Sequence, residues 1–139
     1  MSENAPVKET IVIAEDSSPN RKILAHLLEK LGYNVIACES GQHAWDALNA
    51  AGTTGVVLII SDIMMPNMNG LELLQKVRES EKYKTTPLVL VTAVSEKDYI
   101  VRAKEMNVNG YVLKPVTFQR VTSKLQELFP TKTFPKLAG

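Results

Sequence analysis

The chain has 139 residues, enough for one domain with its own core, and its 16 Lys and Arg against 15 Asp and Glu leave a net charge of +1. So balanced a charge makes no field to gather nucleic acid or an anionic membrane, and no apolar run has the length of a signal peptide or a membrane span. Hydrophobic residues at 45% suit a soluble globular protein, and one cysteine, Cys38, excludes an internal disulfide and suits a reducing cytoplasm.

Residues 1–9 are polar and read as a flexible N-terminal segment. Ile11 to Ala14 read as a short buried strand, cut off by the acid pair Glu15-Asp16. Ser18 as an N-cap and Pro19 in the first turn open a helix with Ile23, Leu24, Leu27, Leu28 and Leu31 at helical spacing; Gly32 closes it. Asn34 to Cys38 form a second strand, where Cys38 reads as a buried structural thiol. A second helix runs from Gly41 to about Ala51 around Ala44, Trp45 and Leu48.

The run Val57-Leu58-Ile59-Ile60 suits a strand buried on both faces, and it runs into Asp62 before a loop with Pro66, Asn69 and Gly70. Leu71, Leu74 and Val77 mark a third helix, with Arg78 and Glu79 exposed. Pro87 introduces a strand from Leu88 to Thr92. The fourth helix, roughly Glu96 to Met106, has the least distinct stripe, carried by Ile100, Val101 and Ala103. Gly110 to Leu113 form the fifth strand, stopped by Lys114-Pro115. Phe118, Val121, Leu125 and Leu128 mark the last helix, and residues 130–139 read as a tail or linker remnant after a domain spanning 10–129.

Five strands alternating with five helices predict an α/β fold with a doubly wound parallel sheet. In such sheets, sites form outside the carboxyl ends of the strands. There the pattern places Glu15 and Asp16, Asp62, Thr92 and Lys114. Two unit charges ~4 Å apart repel by about 4 kcal/mol at an effective dielectric near 20, and one lysine cannot neutralise three carboxylates. A hard divalent cation can, and an all-oxygen site with room for water suits Mg²⁺. His26 and His43 lie away from this edge, which disfavours zinc. A metal-bound carboxylate beside a lysine and a hydroxyl suits phosphoryl transfer, with Asp62 as nucleophile.

Singly, each residue has a plainer role. The acid pair favours the positive end of a helix, Thr92 ends a strand, Lys114 sits in a solvated loop, and Tyr111 is a core or rim aromatic. The conjunction is what resembles the receiver domain of bacterial two-component response regulators, a CheY-like fold. It is carried by IVIAED, SDIMMPNMNG, LVLVTA and GYVLKP, and extends over about residues 9–129.

The resemblance implies strand order 2-1-3-4-5 and a phosphoryl group passing from a sensor histidine kinase or phosphotransfer protein to Asp62. It implies Mg²⁺ held by Asp16, Asp62 and the Met64 backbone carbonyl, with Glu15 assisting directly or through water. Thr92 and Lys114 would hold the phosphoryl group, and Tyr111 would change rotamer with it. The surface of the fourth helix, fifth strand and fifth helix would signal to a protein target, with no direct binding of nucleic acid or membrane. A cis Lys114-Pro115 bond is also implied. Glu15 stands where many relatives carry aspartate. Met64 and Val94, two residues beyond Asp62 and Thr92, offer no polar group to orient water, which predicts a long-lived phosphoryl group.

Three other classes fit less well. A receiver-shaped interaction module would not need the complete acid, threonine and lysine set. An aspartate-nucleophile phosphatase uses a second acid where this chain has Met64. A flavin or nucleotide binder would carry a glycine-rich loop after the first strand, where this chain has EDSSPN.

Overall fold

Apolar strands of four to seven residues alternate with amphipathic helices, and in the computed structural model the strands form one central sheet with α-helices packed on both of its faces. Residues 9–66 and 68–132 are described, without the side chain of Val94. The elements are β1 (Thr10–Ala14), α1 (Ser18–Lys30), β2 (Asn34–Cys38), α2 (Gly41–Asn49), β3 (Val56–Asp62), α3 (Gly70–Glu79), β4 (Leu88–Thr92), α4 (Lys97–Glu105), β5 (Gly110–Leu113) and α5 (Phe118–Leu128). A 3₁₀ turn, Val94–Glu96, leads into α4. The strands are all parallel, in the order β2-β1-β3-β4-β5.

Strand side chains alternate between faces, so each apolar run feeds two cores at once. Ile11, Ile13, Leu58, Ile60, Val89 and Val91 pack beneath Leu24 and Leu28 of α1 and Val121 and Leu125 of α5. Val12, Ile59, Leu88 and Leu90 meet Leu48 of α2, Leu74 and Val77 of α3, and Ile100 of α4. Cys38 is buried among them, and burial pushes its thiol up to about 11, so it is inert packing.

The details depart from the sequence pattern at five places. The N-cap of α1 is Ser17, not Ser18: its side chain accepts from Asn20 N, and Pro19 falls in the first turn, where no backbone donor is needed. Ile23 is 51% exposed and Val101 58% exposed, because α1 and α4 bury only the narrower stripes Leu24-Leu28 and Ile100-Ala103. The α2 helix stops at Asn49.

Arg78 is the fifth. It is half-buried, and its guanidinium donates to the carbonyls of Thr86 (2.9 Å) and Asn107 (2.9 and 3.2 Å) and to Asn109 Oδ1 (2.6 Å). Asn109 Oδ1 also accepts from Leu88 N, so one side chain pins the entries to β4 and β5 together. Charged hydrogen bonds are worth about 1.5–3 kcal/mol when buried, and these are partly solvated. Arg78→Ala should therefore cost about 2 kcal/mol in urea unfolding. Arg78→Lys should recover less than half, since an ammonium cannot span acceptors arranged for a planar fork.

At the other end of the molecule's chain path, Glu9 and Lys132 form an ion pair. Asn34 N donates to the Glu9 carbonyl (2.9 Å), Gln126 Nε2 donates to the Lys132 carbonyl (2.8 Å), and the Lys132 ammonium lies over the Tyr33 ring. Residues 1–8 and 133–139, which make up most of the expected flexible segment and tail, lie outside the described residues.

Candidate functional site

Each strand delivers its last residue to the same edge. Glu15 follows β1, with its N–H bonded to Cys38 O of β2 (3.0 Å), so its side chain starts from a fixed point. Its carboxylate accepts from Ser17 N (3.1 Å), while Arg21 donates to its carbonyl (2.8 Å). Asp62 ends β3, and its Oδ1 accepts from Ile63 N (3.1 Å). The loop beyond returns at once: Gly70 N donates to Ile63 O (2.8 Å), and a Cβ on Gly70 would lie 2.4 Å from the Asp62 carbonyl oxygen. Only glycine lets α3 start so close to the strand end. Asn69 and Glu72 then cap α3 reciprocally.

Carboxylate oxygens of Glu15, Asp16 and Asp62 lie within 4.8 Å of one another. Asp62 is 3% and Glu15 4% exposed, whereas Asp16 is open to solvent. Lys114 is placed by the β4–β5 ladder, its N–H bonded to Thr92 O (2.8 Å), and a cis bond to Pro115 follows. Its ammonium lies 3.0 Å from each oxygen of Asp62. Sequence spacing alone put these four residues on one edge, and the fold brings them into contact.

The acids carry the strain of this crowding. Burial pushes the Glu15 carboxyl up to about 7; the Ser17 N–H opposes this, and the Asp62 charge reinforces it. Burial also raises Asp62, against the hydrogen bond from Lys114. Burial alone would lower Lys114, but Asp62, Glu15 and Glu96 together hold it above the usual lysine value. Three clustered carboxylates, two of them buried, with hard oxygen donors only, form an acidic cluster fit for a metal ion. Neither His26 nor His43 belongs to it.

Thr92 is 1% exposed at the end of β4, and its hydroxyl is bonded into the turn that follows the strand. It donates to Ala93 O (3.0 Å) and Glu96 Oε1 (3.4 Å). Tyr111 is 40% exposed and lines a groove of about 310 Å³ with Thr92, Ile100, Val101 and Leu113. Met64 is half-exposed beside the site, and the Val94 side chain lies outside the described residues. Sequence reasoning missed Glu96, whose carboxylate accepts from Ala93 N (2.7 Å). The available signal was a glutamate three residues after Ala93, the residue between the strand end and the turn into the helix.

The family model described as the response regulator receiver domain matches residues 11–126. The chain belongs to the response regulator receiver family. This receiver is 37% identical to the chemotaxis protein CheY1 of Helicobacter pylori over 122 residues, covering 87% of this chain and 97% of that one. It is 38% identical to a chemotaxis protein CheY homolog of Campylobacter jejuni, covering 87% of this chain and 92% of the homolog. The crystal structure of the chemotaxis response regulator CheY4 of Vibrio cholerae superposes with a TM-score of 0.77 at 28% identity, over 88% of this receiver and 99% of CheY4. Family membership makes this receiver a phosphoacceptor signalling module, a switch and not a metabolic enzyme. No helix among the described residues is long and apolar enough to cross a membrane.

Proposed function

We propose that Asp62 is the phosphoacceptor and that a Mg²⁺ ion joins it during transfer from a histidine kinase or phosphotransfer protein. The observation that carries this is the convergence of three carboxylates within 4.8 Å around an aspartate held by Lys114. Asp16, Asp62 and the Met64 carbonyl would hold the ion, with Glu15 assisting directly or through a water. When bound, Mg²⁺ supplies positive charge to the transferring phosphoryl oxygens.

The chain's own residues do the rest. Asp62 Oδ attacks phosphorus, a new O–P bond forms, and the bond to the donor's imidazole nitrogen or leaving oxygen breaks. Lys114 orients the carboxylate beforehand and follows the charge as it spreads onto the phosphoryl oxygens. Glu15, protonated near neutral pH without metal, spares Asp62 from holding the proton itself. Thr92 then turns its hydroxyl to the phosphoryl group. The space it leaves adjoins the groove beside Tyr111, which moves inward. The surface of α4, β5 and α5, where Val101, Tyr111 and Leu113 are exposed, is thereby changed for a protein target.

Incubation with Mg²⁺ and acetyl phosphate should add one phosphoryl group by intact mass; no gain would refute the proposal. Asp16→Asn should weaken Mg²⁺ binding by at least tenfold in calorimetric titration, since it removes a full ligand charge. It should leave the metal-free protein as stable or more so, because like charges are separated. Unchanged Mg²⁺ affinity would place the ion elsewhere.

A further inference from the structure

Thr92 has one hydroxyl proton, and in this structure it is directed at Ala93 O and Glu96 Oε1. Glu96 is not free to drift, because the same oxygen accepts from Ala93 N at 2.7 Å as the turn into α4 begins. The threonine on which the switch depends is thus engaged by a carboxylate whose position the backbone fixes. Glu96 also lies close enough to Lys114 for its charge to be felt there.

We propose that Glu96 is a positioning residue, a latch that keeps the Thr92 hydroxyl bonded into the turn after β4 until a phosphoryl group outcompetes it. This deepens the function proposed above and rests on it. A carboxylate is a stronger acceptor than a neutral oxygen, so the latch weakens the phosphorylated state by the hydrogen bond that must be given up. The same bond ties the hydroxyl to the first turn before α4. When Thr92 leaves, that turn keeps the Ala93 cap but loses its link to the end of β4, while Arg78 still pins Asn107 beyond the far end of α4. Movement is therefore concentrated at the start of α4.

The test is affinity for beryllofluoride, a phosphoryl mimic, in the presence of Mg²⁺, read by ¹⁹F NMR. Glu96→Ala should bind it about two- to threefold tighter than the unaltered chain, the low end of what a hydrogen bond supplies, because the contact is long at 3.4 Å. Glu96→Gln keeps an acceptor but no charge and should fall between the two. In a Thr92→Ala background, Glu96→Ala should change the affinity little, because the latch has nothing left to hold. An equal gain with and without Thr92 would overturn the latch in favour of long-range repulsion. Loss of thermal stability with unchanged affinity would overturn it in favour of a purely structural cap. Failure of the unaltered chain to bind beryllofluoride at all would remove the function on which the latch depends.

Discussion

Asp62→Asn should abolish phosphoryl labelling altogether, the largest effect expected of any single substitution. An amide is a far poorer nucleophile than a carboxylate, and neither neighbouring acid is a substitute. Glu15 is turned to the Ser17 N–H, and Asp16 is open to solvent with no lysine paired to it among the described residues, whereas Lys114 is held against Asp62. Labelling with acetyl phosphate and Mg²⁺, followed by intact mass, should show one addition on the unaltered chain and none on the variant. The adduct should be an acyl phosphate, released by hydroxylamine. The variant should remain folded, because it removes a buried charge, and Lys114 can turn its half-exposed ammonium to water. Undiminished labelling would show that another residue is the acceptor. With beryllofluoride on the unaltered chain, amide exchange should change mainly over residues 92–118, which carry Thr92, α4 and Tyr111.

Without Mg²⁺, the folded chain should lose stability as pH rises from about 4.5 to 7, with Glu15 the main cause. Its carboxyl titrates at about 7 in the folded state against 4.5 as a free side chain. Between those values the folded state holds a proton that the unfolded state has released, so raising the pH favours unfolding. The contribution is complete below the lower value and gone above the upper one. A shift of this size corresponds to about 3 kcal/mol. Asp62, also raised, acts in the same direction. Glu15→Gln keeps an acceptor for Ser17 N and removes the titration. Urea unfolding at pH 5 and 8 should show the variant gaining on the unaltered chain by roughly 2–3 kcal/mol at the higher pH, since a little of the effect is already lost by pH 5. A gap that does not widen with pH would dismiss Glu15 as the source. Mg²⁺ should shrink the gap, and should bind more tightly at pH 8 than at 6, since proton and metal compete for the same oxygens.

The sheet was legible because the strands are short apolar runs with abrupt polar ends, and those ends made the site legible too. Glu15, Asp16, Asp62 and Lys114 stand one or two residues past an apolar run, so a parallel sheet has no other place to put them. What escaped were features that depend on side-chain direction. Nothing local in Arg78-Glu79-Ser80 tells that Arg78 turns back across the starts of two other strands. Val101 and Ile100 are equally apolar, and only the angle of α4 on the sheet decides which is covered. Thr92 was located correctly, but its hydroxyl is turned by Glu96, a partner whose reach depends on the turn between them.

The pairing of Glu9 with Lys132 bears on how this switch can be handled. In a parallel sheet the carboxylates lie at one pole and the starts of the strands at the other, some five residues or about 17 Å away. The first and last described residues, Glu9 and Lys132, meet at that second pole. A fluorophore attached at position 9 or 132 is carried clear of the acidic cluster. A short linker can join residues 9 and 132, leaving a circularly permuted domain free to be opened at a surface turn of choice.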